Sequence, residues 1–167
     1  MIGWFAEGAD PDYGLLAFRR ISEKLGDTHW FLRMLRDSSA AAHSMTRLLT
    51  GSRYVGELME WTPESAAWLD SSEQLRPRGA AALREEAEAI LARREDEAHA
   101  VKAIRALRRR EMLRAAMGTM LGVLSRQETS ETLTDITDVT LQTLLRIVRR
   151  EIVPPEEEQP VLPAMEV

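Results

Sequence analysis

The longest helical pattern in the sequence is EAHAVKAIRALRRREMLRAAMGTMLGVL, which runs from Glu97 to Leu124. At 100° per residue, apolar side chains fall on one face of this helix, and in the second half that face widens to most of the circumference. The second half should therefore be buried on nearly all sides. The residues that define the face are Val101, Ile104, Met112, Ala115, Ala116 and Val123.

Basic side chains crowd the middle of this predicted helix. Two of them project towards the side of Val101 and Met112, so each is expected to need a carboxylate partner, because a buried unpaired charge is costly. The Arg-Arg-Arg run could also contact phosphate, nucleic acid or an acidic protein face. Without interleaved aromatic residues, however, an exposed helix face with internal ion pairs explains it better. The inward pair is Arg105 and Arg108, and the full set of candidate interaction or ion-pair residues is Arg105, Arg108, Arg109 and Arg110.

The composition is that of one globular domain, with 167 residues, 44% hydrophobic and 29% charged. The formal net charge of −5 disfavours a nucleic-acid partner. The longest apolar run, Ala115 to Leu124, is much shorter than the ~20 residues of a membrane span, and the start does not resemble a signal peptide. Because there is no cysteine, disulfides and thiolate chemistry are excluded, and a cytoplasmic location is expected.

Residues 1–78 are predicted to form a lobe of short helices. Every Trp, Tyr and Phe lies at or before Trp68, so this lobe should pack around aromatic rings. The helix boundaries follow from Ser, Thr and Asp caps, from proline in the first turn and from glycine at the end. The predicted helices are Asp10–Leu25, a second from Asp27 or Thr28 to Asp37, a third from Ser38 or Ser39 to Thr50, a fourth opened by Ser52, and a short fifth begun by Thr62-Pro63-Glu64.

Residues 79–153 contain no proline and are predicted to form long helices. A helix over Ala80 to Arg94 should break at the acidic Glu95-Asp96-Glu97, and the last helix is predicted to begin at Ser130 rather than at the Ser125 and Glu128 capping box. Residues 154–167 form a linker rich in proline and glutamate that leads towards a further folded unit. The inward side of the last helix is predicted to carry Leu133, Ile136, Leu144, Ile147 and Val148.

Residues suited to catalysis or metal binding are sparse. The three histidines fall in different predicted helices, and Asp96-x-x-His99 is only half of the paired carboxylate and histidine set of di-iron bundles. Gly118 and Gly122 have the spacing of a close helix crossing, which points to packing. No catalytic, cofactor-binding or metal-binding residue is therefore assigned, and the expected architecture is an all-α bundle of short N-terminal helices packed on long C-terminal ones.

Two blocks of sequence resemble one family. Residues 48–58, LLTGSRYVGEL, with Pro63-Glu64 and Trp68-Leu69, are similar to the helical part of bacterial glutamine synthetase adenylyltransferases. Residues 104–114, IRALRRREMLR, followed by Gly122, resemble the Arg-rich helix of the same family in the same order. The resemblance extends over roughly residues 15–151 and places the chain before the second nucleotidyltransferase unit of such an enzyme.

The resemblance implies a role in regulating nitrogen assimilation, in which the whole enzyme adds AMP to glutamine synthetase and removes it, with ATP and Mg²⁺ as its cofactors. It implies three partners, which are glutamine synthetase, the adjacent catalytic unit and a PII-type signal protein. The family's Gly-Ser turn with spaced aspartates is not matched by Gly51-Ser52, so this segment is expected to support catalysis without performing it. The alternative is an independent helical adaptor that binds another protein.

Overall fold

The computed structural model describes residues 2–26, 28–93 and 96–152, and helices are the only regular secondary structure in those ranges. The predicted all-α class is confirmed. The predicted linker over residues 154–167 and the alternative cap at Asp27 lie outside the described residues.

The first half consists of short helices with local caps. Asp10 accepts a hydrogen bond from the Tyr13 amide at 3.2 Å, and Ser38 and Ser52 cap the third and fourth predicted helices in the same way. The starts predicted at these three residues are therefore confirmed. Thr28 and Thr62 precede their helices without a side-chain cap, the predicted fifth helix is a 3₁₀ segment, and the first helix of the chain was not predicted. The elements are α1 (Ile2–Ala6), α2 (Pro11–Leu25), α3 (His29–Asp37), α4 (Ser39–Gly51), α5 (Arg53–Trp61) and two 3₁₀ segments (Pro63–Asp70 and Ser72–Leu75).

The second half consists of three long helices, α6 (Gly79–Arg93), α7 (Glu97–Met120) and α8 (Arg126–Ile152). The predicted break before α7 is confirmed, and the Asp96 carboxylate caps α7 by accepting from the Ala98 amide at 3.0 Å. α7 ends four residues earlier than predicted, because Gly122 has a left-handed φ of 77° that an ordinary helix does not accept.

The close packing predicted at Gly118 and Gly122 is confirmed at Gly118 and is wrong at Gly122. Gly122 forms the turn after α7, and a Cβ placed there would meet nothing within 4 Å. A Cβ on Gly118 would lie 3.0 Å from the Leu75 carbonyl oxygen and from the Leu124 side chain. Position 118 therefore requires a residue without a side chain, because a 3₁₀ segment and the turn after α7 approach it closely.

The predicted start of the last helix at Ser130 is also wrong. Ser125 and Glu128 form the complete capping box: the Glu128 amide donates to Ser125 Oγ at 3.2 Å, and the Ser125 amide donates to the Glu128 carboxylate at 2.7 Å. The hydrogen bond that the carboxylate accepts from the Ser125 amide is the largest cause that lowers the pKa of Glu128. The backbone amides of Ser125 and Glu128 thereby gain hydrogen-bond partners at the start of the helix. Ser130 lies inside the helix and could not cap these amides.

The inward face of α8 differs from the predicted one. Ile136 and Ile147 are buried as expected, but Leu133 and Val148 are exposed. Threonines take part of the inward face, because each hydroxyl donates to the carbonyl four residues earlier and can then be buried without an unmet hydrogen bond. These are Thr132, Thr140 and Thr143, with donor–acceptor distances of 2.6, 2.6 and 2.7 Å.

Two apolar clusters hold the helices together, and α7 contributes to both. The first cluster lies mainly in the N-terminal half and includes aromatic rings such as Phe5 and Phe31, together with Leu113 and Met117 from the second half of α7. The second joins α6 and α8 to the first half of α7, where Ile104 is buried. The charged centre of α7 therefore lies where the helix passes from one cluster to the other.

Candidate functional site

The candidate arginines of α7 divide into two groups in the structure. Arg105, Arg108 and Arg109 are exposed, and within the described residues none of them forms an ion pair. The predicted inward position of Arg105 and Arg108 is therefore wrong. The stripe that α7 buries is rotated from the predicted one and contains Ala100, Ile104, Leu107, Glu111 and Ala115.

Arg110 makes the intrachain ion pairs that were predicted for its neighbours. Its guanidinium is half-buried and lies 2.8 Å from a Glu86 carboxylate oxygen on α6 and 2.8 Å from a Glu111 carboxylate oxygen. The hydrogen bond that Arg110 donates to the Glu86 carboxylate is the largest cause that raises the pKa of Arg110, against the opposing effect of burial. Arg110 thus connects α6 to α7 and is not available as a free surface cation.

Glu111 is the residue of this region that the sequence analysis missed. It is only 3% exposed, and its carboxylate contacts Arg110, Arg114 at 3.2 Å and Arg78 at 3.6 Å. The spacing in the sequence could have indicated its burial. Glu111 follows Ile104 by seven residues, about two helical turns, so the two side chains lie on the same face of α7. Three guanidinium groups around one carboxylate offset the cost of burying its charge.

Arg114 attaches this charge cluster to the N-terminal half. Its guanidinium lies 4.1 Å from the centre of the Trp68 ring and donates to the Gln74 carbonyl as well as to Glu111. A cation over an aromatic face is attractive, and more so when water is excluded. These side chains join the residues just before α6, α6 itself, α7 and the 3₁₀ segments. The cluster, here called the arginine–glutamate cluster, consists of Arg78, Glu86, Arg110, Glu111 and Arg114.

Within the cluster, Glu86 has the clearest change in acidity. The hydrogen bond from Arg110 is the largest cause, and with the smaller contribution of Arg78 it outweighs burial and lowers the pKa of Glu86 from 4.5 to about 2. The ionised carboxylate therefore stabilises the folded chain above about pH 4.5, and this stabilisation is lost as the pH falls towards 2.

We expect Glu86→Gln to remove this pH-dependent stabilisation. At neutral pH the variant should lose on the order of 1 to 2 kcal/mol of unfolding free energy, a figure reduced for partial exposure to solvent. The difference from the parent chain should shrink as the pH is lowered from about 5 to 3. Urea unfolding across this range measures it, with Glu85→Gln as the control because Glu85 is exposed on the same helix. A difference that stays constant with pH would contradict the assignment.

An open cleft of about 510 Å³ is lined mainly by residues of α6 and α7. Its lining includes the apolar Ile90 and Leu107, the exposed cation Lys102, and the paired Arg110 and Glu86. His99, also in the lining, pairs with Asp96, which lowers the pKa of that carboxyl. The described ranges contain no group of three or more His, Asp or Glu side chains placed to hold a metal ion.

The Gly51-Ser52 pair is a helix junction. Gly51 is the last residue of α4, and Ser52 Oγ accepts from the Val55 amide at 3.3 Å to cap α5. Arg53, the next residue, donates to the Asp10 carboxylate at 2.7 Å and holds α5 against the start of α2. The hydroxyl of Ser52 is thus committed to the backbone of α5.

Comparison with known proteins places the chain in a family. The family described as glutamate-ammonia ligase adenylyltransferase matches residues 42–162, which is more than half of the sequence. The chain belongs to this family. None of its described helices is long and apolar enough to cross a membrane.

Named relatives of high similarity are enzymes of the same family. The chain is 59% identical over 128 residues to the bifunctional glutamine synthetase adenylyltransferase/adenylyl-removing enzyme of Leifsonia xyli subsp. xyli, a match that covers 77% of this chain and 13% of the relative. For the enzymes of the same name from Streptomyces coelicolor and Cutibacterium acnes, identity is 44% and 38%, with 73% and 91% of this chain and 12% and 15% of the relative covered. The chain thus corresponds to a small part of its adenylyltransferase relatives. No solved structure matches it.

Proposed function

We propose that this chain is a non-catalytic helical segment of a glutamine synthetase adenylyltransferase, and that it supports a catalytic unit elsewhere in the same polypeptide. The intact enzyme would transfer AMP from ATP to glutamine synthetase with Mg²⁺, and would act in the cytoplasm. The observation that carries the proposal is the family match together with the small share, 12 to 15%, of each relative that the chain covers.

The positions of the acidic side chains support the assignment of catalysis to another unit of the enzyme. Nucleotidyl transfer requires acidic groups that fix metal ions on the phosphates. In the described part of the chain, the most buried carboxylate, Glu111, is surrounded by arginines, and Asp10 and Asp96 cap helices. These acids have structural partners, so we assign catalysis to a unit beyond this segment. We retain 1–78 and 79–153 as its two lobes and 154–167 as the linker.

We further propose that the exposed basic face of α7 contacts glutamine synthetase. Arg105, Arg108 and Arg109 project from a helix whose other side is fixed by the arginine–glutamate cluster, so their backbone positions are constrained. Exposed charges of one sign increase the rate at which two proteins associate and help to orient them, and they contribute less to the binding free energy. A PII-type signal protein is a further proposed partner of the intact enzyme, without assigned residues.

Charge reversal on this face tests the proposal in the intact enzyme. We expect Arg105→Glu/Arg108→Glu/Arg109→Glu to raise KM for glutamine synthetase on the order of tenfold at low salt and to leave KM for ATP unchanged. The matched control reverses three other exposed arginines, Arg33, Arg84 and Arg126. An unchanged KM for glutamine synthetase would show that these three arginines do not contact glutamine synthetase. An intact enzyme that adds no AMP to glutamine synthetase would overturn the proposed function.

A further inference from the structure

One face of α8 is apolar, and the other described residues leave it exposed. Four large side chains at helical spacing lie on it, Leu141, Leu145, Val148 and Ile152, with exposed fractions of 55%, 58%, 44% and 72%. Positions 141, 145, 148 and 152 repeat at intervals of four, three and four residues, so they form one stripe about 16 Å long at 1.5 Å per residue. These four residues are here called the α8 stripe.

The stripe continues along α8 without a charge. Towards the start of the helix, Thr134 and Thr137 fall on the same side and are exposed, with their hydroxyls bonded to the helix backbone. Asp138, Gln142 and Arg149 are exposed along one edge. An apolar strip with a polar edge is the pattern of an interaction surface, and it differs from the scattered apolar residues of an ordinary surface.

The opposite side of α8 is already occupied. Ile136, Val139 and Ile147 pack in the second apolar cluster with α6 and α7, and Arg146 pairs with Glu88 of α6. The helix is therefore held in place by one face while it presents the stripe on another. Covering the stripe would require no rearrangement of the bundle.

The size of the stripe argues against a free-standing partner. Burying one large apolar side chain removes on the order of 60 to 120 Å² from water, so four supply only a few hundred Å². A stable complex between separate molecules needs roughly 800 Å² from each partner. A tethered neighbour does not need as much, because the linker raises its effective concentration to about the millimolar range.

We infer that the α8 stripe is the docking surface for an apolar face of the folded unit that follows residue 167 in the intact enzyme. Ile152 is both the last residue of α8 and a member of the stripe, so the polypeptide beyond it is covalently attached at one end of this surface. The relatives are several times longer than this chain, so a large folded neighbour is available. The inference rests on the proposed function and adds to it the contact through which the segment holds its neighbour.

Side-chain footprinting by brief radical oxidation, read by peptide mass spectrometry, tests the contact. In the intact enzyme, Leu141, Leu145 and Val148 should be modified several times less than in this chain alone. Leu15 and Leu16 on α2, which are 41% and 43% exposed, are the internal control and should not change. Equal modification of the stripe in the two proteins would overturn the inference. Protection that develops in this chain alone as its concentration rises would also overturn it, because the occupant would then be a second copy.

Substitution provides the second arm. Leu145→Asp in the intact enzyme should lower the rate of adenylyl transfer on the order of tenfold, since a charge would enter the apolar contact. Gln142→Asp introduces the same side chain on the polar edge and should leave the rate unchanged. Full activity in Leu145→Asp would overturn the inference while leaving the proposed function intact. If the parental intact enzyme transfers no AMP, the proposed function fails, and the footprint alone decides the docking.

Discussion

Glu111→Ala should lower the melting temperature of this chain by roughly 10 °C. Glu111 is 3% exposed and contacts three guanidinium groups, so its removal leaves positive charges close together in a partly dry site. Breaking a buried ion pair costs on the order of 3 to 5 kcal/mol, and each kcal/mol corresponds to about 2 to 4 °C for a protein of this size. Arg110 keeps Glu86 and Arg114 keeps Trp68, so the loss should lie near the lower end of that range.

Three further variants separate the ion pairs from general effects of substitution. Glu111→Gln retains the shape and one acceptor oxygen, so it should lose less than Glu111→Ala. Arg110→Ala should also be destabilising, because it leaves Glu86 and Glu111 with one partner fewer. Arg108→Ala should change the melting temperature little, since Arg108 is exposed. If the Glu111→Ala variant has the same melting temperature as the parent chain, the Glu111 carboxylate must be exposed to water and not buried.

The arginine–glutamate cluster also shows where prediction from sequence fails. Asp10, Ser38 and Ser52 could be identified as caps because a cap is decided by residues three positions away. The depth of Glu111 depends on Arg78 and on the 3₁₀ segments that cover Arg114, and the sequence does not show that these segments come together. Periodicity alone therefore assigned the wrong arginines to the interior.

The last helix shows a related failure. Choosing Ser130 over Ser125 put the start of α8 too late, although the capping box was visible in the sequence. Ranking residues by hydrophobicity then placed Leu133 and Val148 inside, whereas buried threonines occupy part of that face. A threonine that satisfies its own hydroxyl on the helix backbone packs like a small apolar residue, and its letter in the sequence does not reveal this. The exposed stripe of α8 was missed for the same reason.

We propose that this segment carries no adenylyl-transfer activity and that another unit of the intact enzyme does. The reaction depends on groups that hold metal ions and position the attacking hydroxyl, and electrostatics with positioning supply nearly all of its rate. In the described residues, the acids of the charge cluster and of the helix caps are committed to arginines, a histidine and backbone amides. We therefore expect an all-or-none difference between this chain and one extended through the following unit.

The most direct measurement is the intact mass of glutamine synthetase after incubation with ATP and Mg²⁺. With this chain the mass should stay unchanged, and with the extended chain it should increase by one AMP per modified subunit. Omitting ATP from the extended-chain reaction is the control for other changes in mass. Addition of AMP by the 167-residue chain alone would contradict the account, and Asp96 and His99 would then be the first residues to replace.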